Sequence, residues 1–269
     1  MKPVIKLIGD SFLYSCSFSQ THAYEEFVPE HVLVYQISGQ TQIYHHRGEM
    51  LLKEGQMLLA RGNQFAKSIK IPVKDRNYQC VSVLLTKDRL QQFAMDNGIL
   101  CQERYNGPKN ILLEPKTILK DYFLPILSYI QQEKLVSKKL QITKLNEAIL
   151  LLLEMRPQLE SFLFDFSDPQ KEDLEKFMLK NFRHNAPIKN FARLSGRSLT
   201  SFKRDFAEIF QMSPGSWLIN KRLSEAYYLI KKKRMNPRDI YLGLGFENLS
   251  HFYTSFKKKY GHTPAETKK

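Results

Sequence analysis

The stretch GFENLSHFYTSFKKKYGHTP, Gly245 to Pro264, sets Leu249, Phe252, Phe256 and Tyr260 on one stripe of a helix and Ser250, Thr254, Lys257 and Lys258 on the other. A buried helix does not carry so many cations. A free surface helix has no use for aromatic residues spaced four apart. The pattern therefore describes a helix pinned to a small core on one side and offered to an acidic partner on the other.

The stretch has an earlier copy. SLTSFKRDFAEIFQMSP (Ser198 to Pro214) aligns without a gap to NLSHFYTSFKKKYGHTP (Asn248 to Pro264) at an offset of fifty residues. Ser198 and Asn248 stand where each helix should start and are good N-caps. PIKNFARLSGRS precedes the first copy and PRDIYLGLGFEN the second, each a short helical segment closed by a Gly-containing turn. Helix, tight turn, then an amphipathic helix with a polar outer face describes a helix-turn-helix, whose second helix fits the major groove of DNA. A plain structural helical hairpin has the same outline. Repetition in the basic part of the chain favours the DNA reading.

Between the copies, Ser216 to Lys233 reads as one continuous helix of roughly 27 Å. That length suits two reading heads about 34 Å apart, one turn of DNA. Trp217, Leu218, Leu223, Ala226 and Ile230 can pack into both heads. The run Lys231-Lys232-Lys233-Arg234 reads either as a phosphate contact or as a solvated helix end.

Charge follows the same division. Residues 168–269 hold 21 Lys and Arg against 10 Asp and Glu, whereas residues 1–167 hold 20 against 17. A basic domain joined to a nearly neutral one is the electrostatic footprint of a nucleic-acid reader with a separate control domain. Cys16, Cys80 and Cys101 lie far apart, which fits a reducing cytosol and argues against a disulfide framework. The N-terminus lacks a signal-peptide pattern, and the most apolar run, Ala148 to Met155, is too short to span a membrane. The expectation is a cytoplasmic protein.

Residues 1–112 read as short strands separated by turn signals such as Ser38-Gly39 and Glu54-Gly55, an antiparallel barrel or sandwich. Residues 114–157 change to helical period, with Pro115 in a first turn and Pro125 as an expected kink. The stripe Ile142, Leu145, Ile149, Leu152 and Leu153 continues round its helix through Leu150 and Leu151. So much apolar surface points to a homodimer through residues 140–156, or to burial against the barrel. The linker falls at Phe164 to Asp173. The domains are thus 1–165, regulatory or dimerising, and 166–269, DNA-binding, with helix-turn-helix units at 188–210 and 238–260.

The C-terminal hundred residues resemble the DNA-binding domain of the AraC/XylS family of bacterial transcription regulators. The motifs that carry this are Arg222-Leu223-x-x-Ala226, Gly245-Phe246-x-Asn248-x-Ser250-x-Phe252, Phe256-Lys257 and Tyr260-Gly261-x-Thr263-Pro264. The resemblance implies an α+β chain: a cupin-like antiparallel β-barrel with a helix pair, then an all-α domain of two helix-turn-helix units joined by a linker helix. It implies a sequence-specific transcription regulator, by family habit an activator, with double-stranded DNA and RNA polymerase as partners. Groove-facing residues carry over to Thr200, Lys203 and Arg204 in the first unit and to Ser250, His251 and Thr254 in the second, with Lys258 at the backbone. Arg204 is the candidate for a bidentate guanine contact. Three departures stand out: Tyr241 where a small residue is usual, Pro237 for an aliphatic, and the short Thr254 for a long side chain. Together they imply a second unit that contributes backbone affinity more than base readout.

For the N-terminal domain the resemblance implies a small effector, whose identity the sequence does not give. Tyr35 and Tyr44 are candidates to line its pocket and read equally well as barrel core. GQTQIYHHRGE invites a metal reading, but His45 and His46 would point to opposite faces of a strand, so no metal or other cofactor is expected. A cupin-type metal enzyme with a DNA tether and a non-specific architectural DNA binder are the alternatives. A DNA-repair methyltransferase would need clustered cysteines.

Overall fold

The computed structural model describes residues 4–23, 27–45, 48–73, 76–101, 103–114, 117–131, 137–167, 169 and 171–267. The chain divides into two compact units, Met1–Ser167 and Asp168–Lys269.

In the first unit, β1 (Val4–Ile8), β2 (Phe12–Ser17), β3 (Thr21–Ala23), β4 (Phe27–Val28), β5 (His31–Ser38) and β6 (Gln40–His45) open the chain. Next come β7 (Gly48–Leu52), β8 (Met57–Ala60), β9 (Gln64–Phe65), β10 (Lys67–Ile71) and β11 (Tyr78–Leu85). Helix α1 (Lys87–Asp96) and β12 (Asn110–Leu113) lead into α2 (Thr117–Gln131), α3 (Lys138–Met155) and α4 (Leu159–Phe164). The strands form a six-stranded sheet, β1-β2-β11-β5-β8-β12, and a four-stranded sheet, β3-β10-β6-β7, with β4-β9 as a separate pair. Pairing is antiparallel within each.

The alternation HVLVYQIS in β5 decides how the layers stack, because successive side chains leave a strand on opposite faces. Val34 turns toward the four-stranded sheet, where Ile43 and Leu52 meet Leu58 and Ala60. Gln36 points the same way and accepts from the Thr41 hydroxyl at 2.7 Å. Leu33 turns the other way, onto a larger core with Phe123 and Ile126 of α2, Leu145, Ile149 and Leu152 of α3, and Phe162 of α4. Each such side chain removed from water contributes about 1.5–3 kcal/mol.

Leu145, Ile149 and Leu152, the centre of the stripe read as a dimer contact, are thus buried in their own unit, while Leu140 and Leu150 remain exposed. Pro125 lies inside α2, which continues on both sides of it as one helix. Pro115, His46 and the side chain of His45 lie outside the described residues.

The second unit is helical: α5 (Leu174–Asn181), α6 (Ile188–Leu194), α7 (Leu199–Phe210), α8 (Pro214–Lys231), α9 (Pro237–Ile240), α10 (Leu249–Tyr260) and α11 (Pro264–Thr267). The fifty-residue repeat becomes the pairs α6–α7 and α9–α10, with α8 between them. Helix α8 divides its apolar residues between the two. Trp217 packs on Phe206 and Phe210, with ring centroids 5.8 and 4.9 Å away. Leu223, Ala226 and Ile230 join Ile240, Leu244, Phe246, Phe252 and Phe256.

Candidate nucleic-acid interface

Both outer helices are capped as their sequences require. The Ser198 hydroxyl accepts from the Ser201 N–H at 3.1 Å, and the Asn248 side-chain Oδ1 accepts from the His251 N–H at 2.7 Å. Each satisfies a donor that the first turn leaves open. The far ends match as well, since Gln211 and Gly261 are both left-handed C-caps, at φ 54° and 79°. In α7 the wholly buried Phe202 and Phe206 hold the helix down. In α10 Phe252 and Phe256 do the same.

Anchoring by the aromatics turns the opposite faces outward. Thr200, Lys203 and Arg204 are exposed on α7, and Ser250, His251, Thr254 and Lys258 are exposed on α10. Within each helix these residues share one side; the structure thus gathers the predicted set into two polar faces. Leu249 is half-buried against the second core, so it belongs to the anchoring stripe. The His251 ring lies 5.8 Å from that of Phe246.

Two features of these faces escaped the sequence reading. Asp205 sits beside Arg204 and gathers cations: Arg197 at 3.1 Å, Lys171 at 3.2 Å and Arg204 at 3.2 Å. Hydrogen bonds from Arg197 first, then Lys171, hold its carboxyl down at about 2. Arg197 also donates to the Glu172 and Ser195 carbonyls, so Asp205 ties α7 to the chain in front of it. The signal was the Lys-Arg-Asp triplet, acid next to base on one helix. Lys259, exposed like Lys257 and Lys258, turns its ammonium back toward α8. Its ammonium donates to the Asn220 carbonyl at 2.7 Å and the Ser224 hydroxyl at 2.9 Å, binding α10 to α8, and burial lowers its pKa. Lys259 lies three residues beyond Phe256, on the anchored side, which a helical wheel shows.

The departures take definite places. Pro237 is the first residue of α9, capped by Asn236, where the absence of an N–H costs nothing. The helix ends before Tyr241, which is half-buried at the edge of the second core. Lys231 to Arg234 are exposed at and beyond the end of α8.

Tyr35 and Tyr44 do not come together. Tyr35 leaves β5 on the helix side and packs on Phe123 with centroids 5.1 Å apart. Tyr44 follows Ile43, which fills the space between the sheets, so alternation turns it outward. Between the sheets lie Gln36, Thr41 and Tyr78 instead, with the Thr41 and Tyr78 hydroxyls 2.8 Å apart. Among the described residues no three His, Cys, Asp or Glu side chains are grouped to hold a metal. No described helix is long and apolar enough to cross a membrane.

Comparison with known proteins bears on both units. Residues 191–269 match a helix-turn-helix domain family, and residues 31–164 match the ExsA N-terminal regulatory domain. The helix-turn-helix domain is of AraC type, and the relatives that share both units are AraC-family transcription regulators. It is 29% identical over 224 residues to the virulence regulon transcriptional activator VirF of Yersinia enterocolitica, covering 81% of each chain. It is 25% identical over 282 residues to the HTH-type transcriptional regulator ExsA of Pseudomonas aeruginosa, covering 98% of this chain and 95% of that one. A crystal structure of ToxT from Vibrio cholerae superposes with a TM-score of 0.47 at 13% identity, over 97% of this chain and 98% of ToxT. Like these regulators, the chain combines an N-terminal regulatory domain with a DNA-binding domain of helix-turn-helix type.

Proposed function

We propose that the protein activates transcription by placing α7 and α10 in successive major grooves of one operator. The observation that supports this most directly is the repeated pair of exposed polar faces. They are capped alike, anchored alike by aromatic pairs, and carried on one intervening helix. In this reading Thr200, Lys203 and Arg204 meet one groove and Ser250, His251 and Thr254 the next, with Lys258 on the phosphate backbone. Residues 166–269 are the DNA-binding domain and residues 1–165 the regulatory one. The output is activation through RNA polymerase, in keeping with VirF, a relative named as an activator. The regulatory unit senses a small effector, dimerises, or does both. Leu140 and Leu150, exposed on α3, are the part of residues 140–156 left to meet a second copy. The protein works in the cytoplasm and carries out no enzymatic step.

Selection of genomic fragments by the purified protein near physiological salt tests this reading. A shared site with two unlike halves about ten base pairs apart is the expected result. Retention of every fragment without a motif, lost steeply as salt rises, would leave only electrostatic binding by an architectural protein.

A further inference from the structure

We infer that Arg222, a buried residue remote from both polar faces, fixes the angle between the two reading helices and thereby the half-site spacing that the protein accepts. The inference rests on the reading of α7 and α10 as paired DNA readers.

Arg222 projects from α8 and is 7% exposed. Its guanidinium donates to three backbone carbonyls: Phe182 at 2.8 Å, His184 at 2.7 Å and Gly245 at 2.9 Å. Phe182 and His184 lie between α5 and α6, where the first helix pair begins. Gly245 lies in the turn that launches α10. One side chain on the connecting helix therefore grips both the segment that leads into the first pair and the turn inside the second. Burial of a cation is costly unless its donors are satisfied, and here carbonyls from both sides receive them. The planar fork of arginine makes this a joint of fixed geometry, which the freely rotating ammonium of lysine cannot reproduce.

The surroundings are built around that joint. Gly245 has φ +85°, and a Cβ there would lie 2.6 Å from the Arg183 carbonyl oxygen and 2.9 Å from Arg222 Cζ. Position 245 thus needs glycine both for its backbone and for the space that the guanidinium fills. Two exposed ties cross the same seam, Arg183 to Glu225 at 2.6 Å and Asn185 to Glu247 at 3.0 Å. At its other end α10 is held to α8 by Lys259. On the first side, Trp217 wedges α8 against α7.

A rigid connection of two readers yields a tandem advantage on the order of 100-fold or more when both sites are in register, and loses it when they are not. A softened joint leaves each reader intact while lowering that advantage and widening the tolerated spacing.

The test uses the full chain and duplexes derived from the selected operator: the composite site, each half alone, and the composite with one base pair inserted or removed. Arg222→Lys is expected to bind single halves within about threefold of wild type, to lose about tenfold of the composite advantage, and to suffer less from a one-base-pair change. Trp217 fluorescence during thermal unfolding reports whether the variant folds. Should Arg222→Lys not fold, Asn185→Ala combined with Glu225→Ala removes the two exposed ties and is expected to shift the spacing profile in the same direction. Equal loss on half and composite sites, or spacing as strict as wild type, would overturn the joint. Wild-type protein that binds composite, half and unrelated duplexes alike would overturn the paired-reader reading and the joint with it, which the wild-type measurements alone reveal.

Discussion

Replacement of Arg204 by alanine separates base readout from general attraction. The Arg204 side chain is 75% exposed and packs into no core; its contact is the Asp205 carboxylate at 3.2 Å. That carboxylate keeps Arg197 and Lys171 when Arg204 is truncated. Folding stability should therefore change by no more than about 0.5 kcal/mol, as for other surface positions. On DNA the loss is larger. A bidentate arginine–guanine contact is worth about 1–3 kcal/mol, roughly 5- to 150-fold in affinity. To make it, Arg204 leaves a solvent-screened neighbour, which opposes binding only weakly. The assay is fluorescence anisotropy on the selected operator and on a set of duplexes with each base pair changed in turn. Arg204→Ala should weaken the operator and flatten the preference at one G·C pair, with the salt slope unchanged. Lys258→Ala should instead weaken all duplexes alike and reduce the salt slope by about one. Uniform weakening and a shallower slope for Arg204→Ala would place that side chain on phosphate and refute its role as a reader.

The repeat and the unit boundary offer two further tests. Gln211 holds a left-handed C-cap at φ 54°, a conformation that its counterpart Gly261 adopts at φ 79° without a Cβ penalty. Gln211→Gly should stabilise the second unit by about 0.5–1 kcal/mol in urea unfolding followed through Trp217, less what the Gln211 amide gains from the Glu208 carbonyl at 2.8 Å. A destabilised variant would show that this side-chain bond outweighs the backbone cost. In the first unit, Asp165 pairs with Arg61 at 2.8 Å and accepts from the Tyr105 N–H at 3.0 Å. Burial alone would raise its carboxyl, but hydrogen bonds from Ser167, Tyr105 and Arg61 hold it down at about 2. Its contribution is present above the unfolded value near 3.8 and fades as pH falls through 2. Asp165→Asn should cost about 2 kcal/mol at pH 7, with the difference from wild type shrinking between pH 4 and 2; a difference that persists to pH 2 would contradict the assignment.

The second unit was legible in the sequence because its pattern is local. Aromatic spacing gave α7 and α10, Ser198 and Asn248 gave their starts, and the fifty-residue offset gave the pairing. Each is a statement about residues three or four apart, or about two copies of one motif. The joint at Arg222 was not legible, since its acceptors are main-chain carbonyls 23, 38 and 40 residues away and carbonyls leave no mark on composition. For the same reason the strands could be read but not their partners: β11 lies between β2 and β5, far from both in sequence. Tyr35 and Tyr44 were paired because both are aromatic and close in sequence. Yet they stand in different sheets, Tyr35 packed on Phe123 of α2 and Tyr44 turned outward, and the turn between β5 and β6 that separates them is visible only as Ser38-Gly39.

The two outer helices share caps and anchors, yet their outward charges differ in a way that bears on how the work is divided. Helix α7 carries Lys203 and Arg204 in its first half, followed by Asp205 and Glu208, so its cations and anions balance. Asp205 is already held by Arg197 and Lys171, so the exposed Glu208 is the acid that opposes phosphate unless the approach brings Arg204 to a base. Helix α10 carries no acid, and its outward cations, Lys257 and Lys258, lie in the last turn, where the helix dipole favours them. Base edges are met mainly by the N-terminal residues of a recognition helix. There α10 offers only the short Ser250 and Thr254 and the His251 ring, while its charge falls where the backbone passes. Attraction to phosphate is nearly the same on every sequence. Discrimination should therefore reside mostly in the half-site under α7, and tolerance of base changes in the half-site under α10.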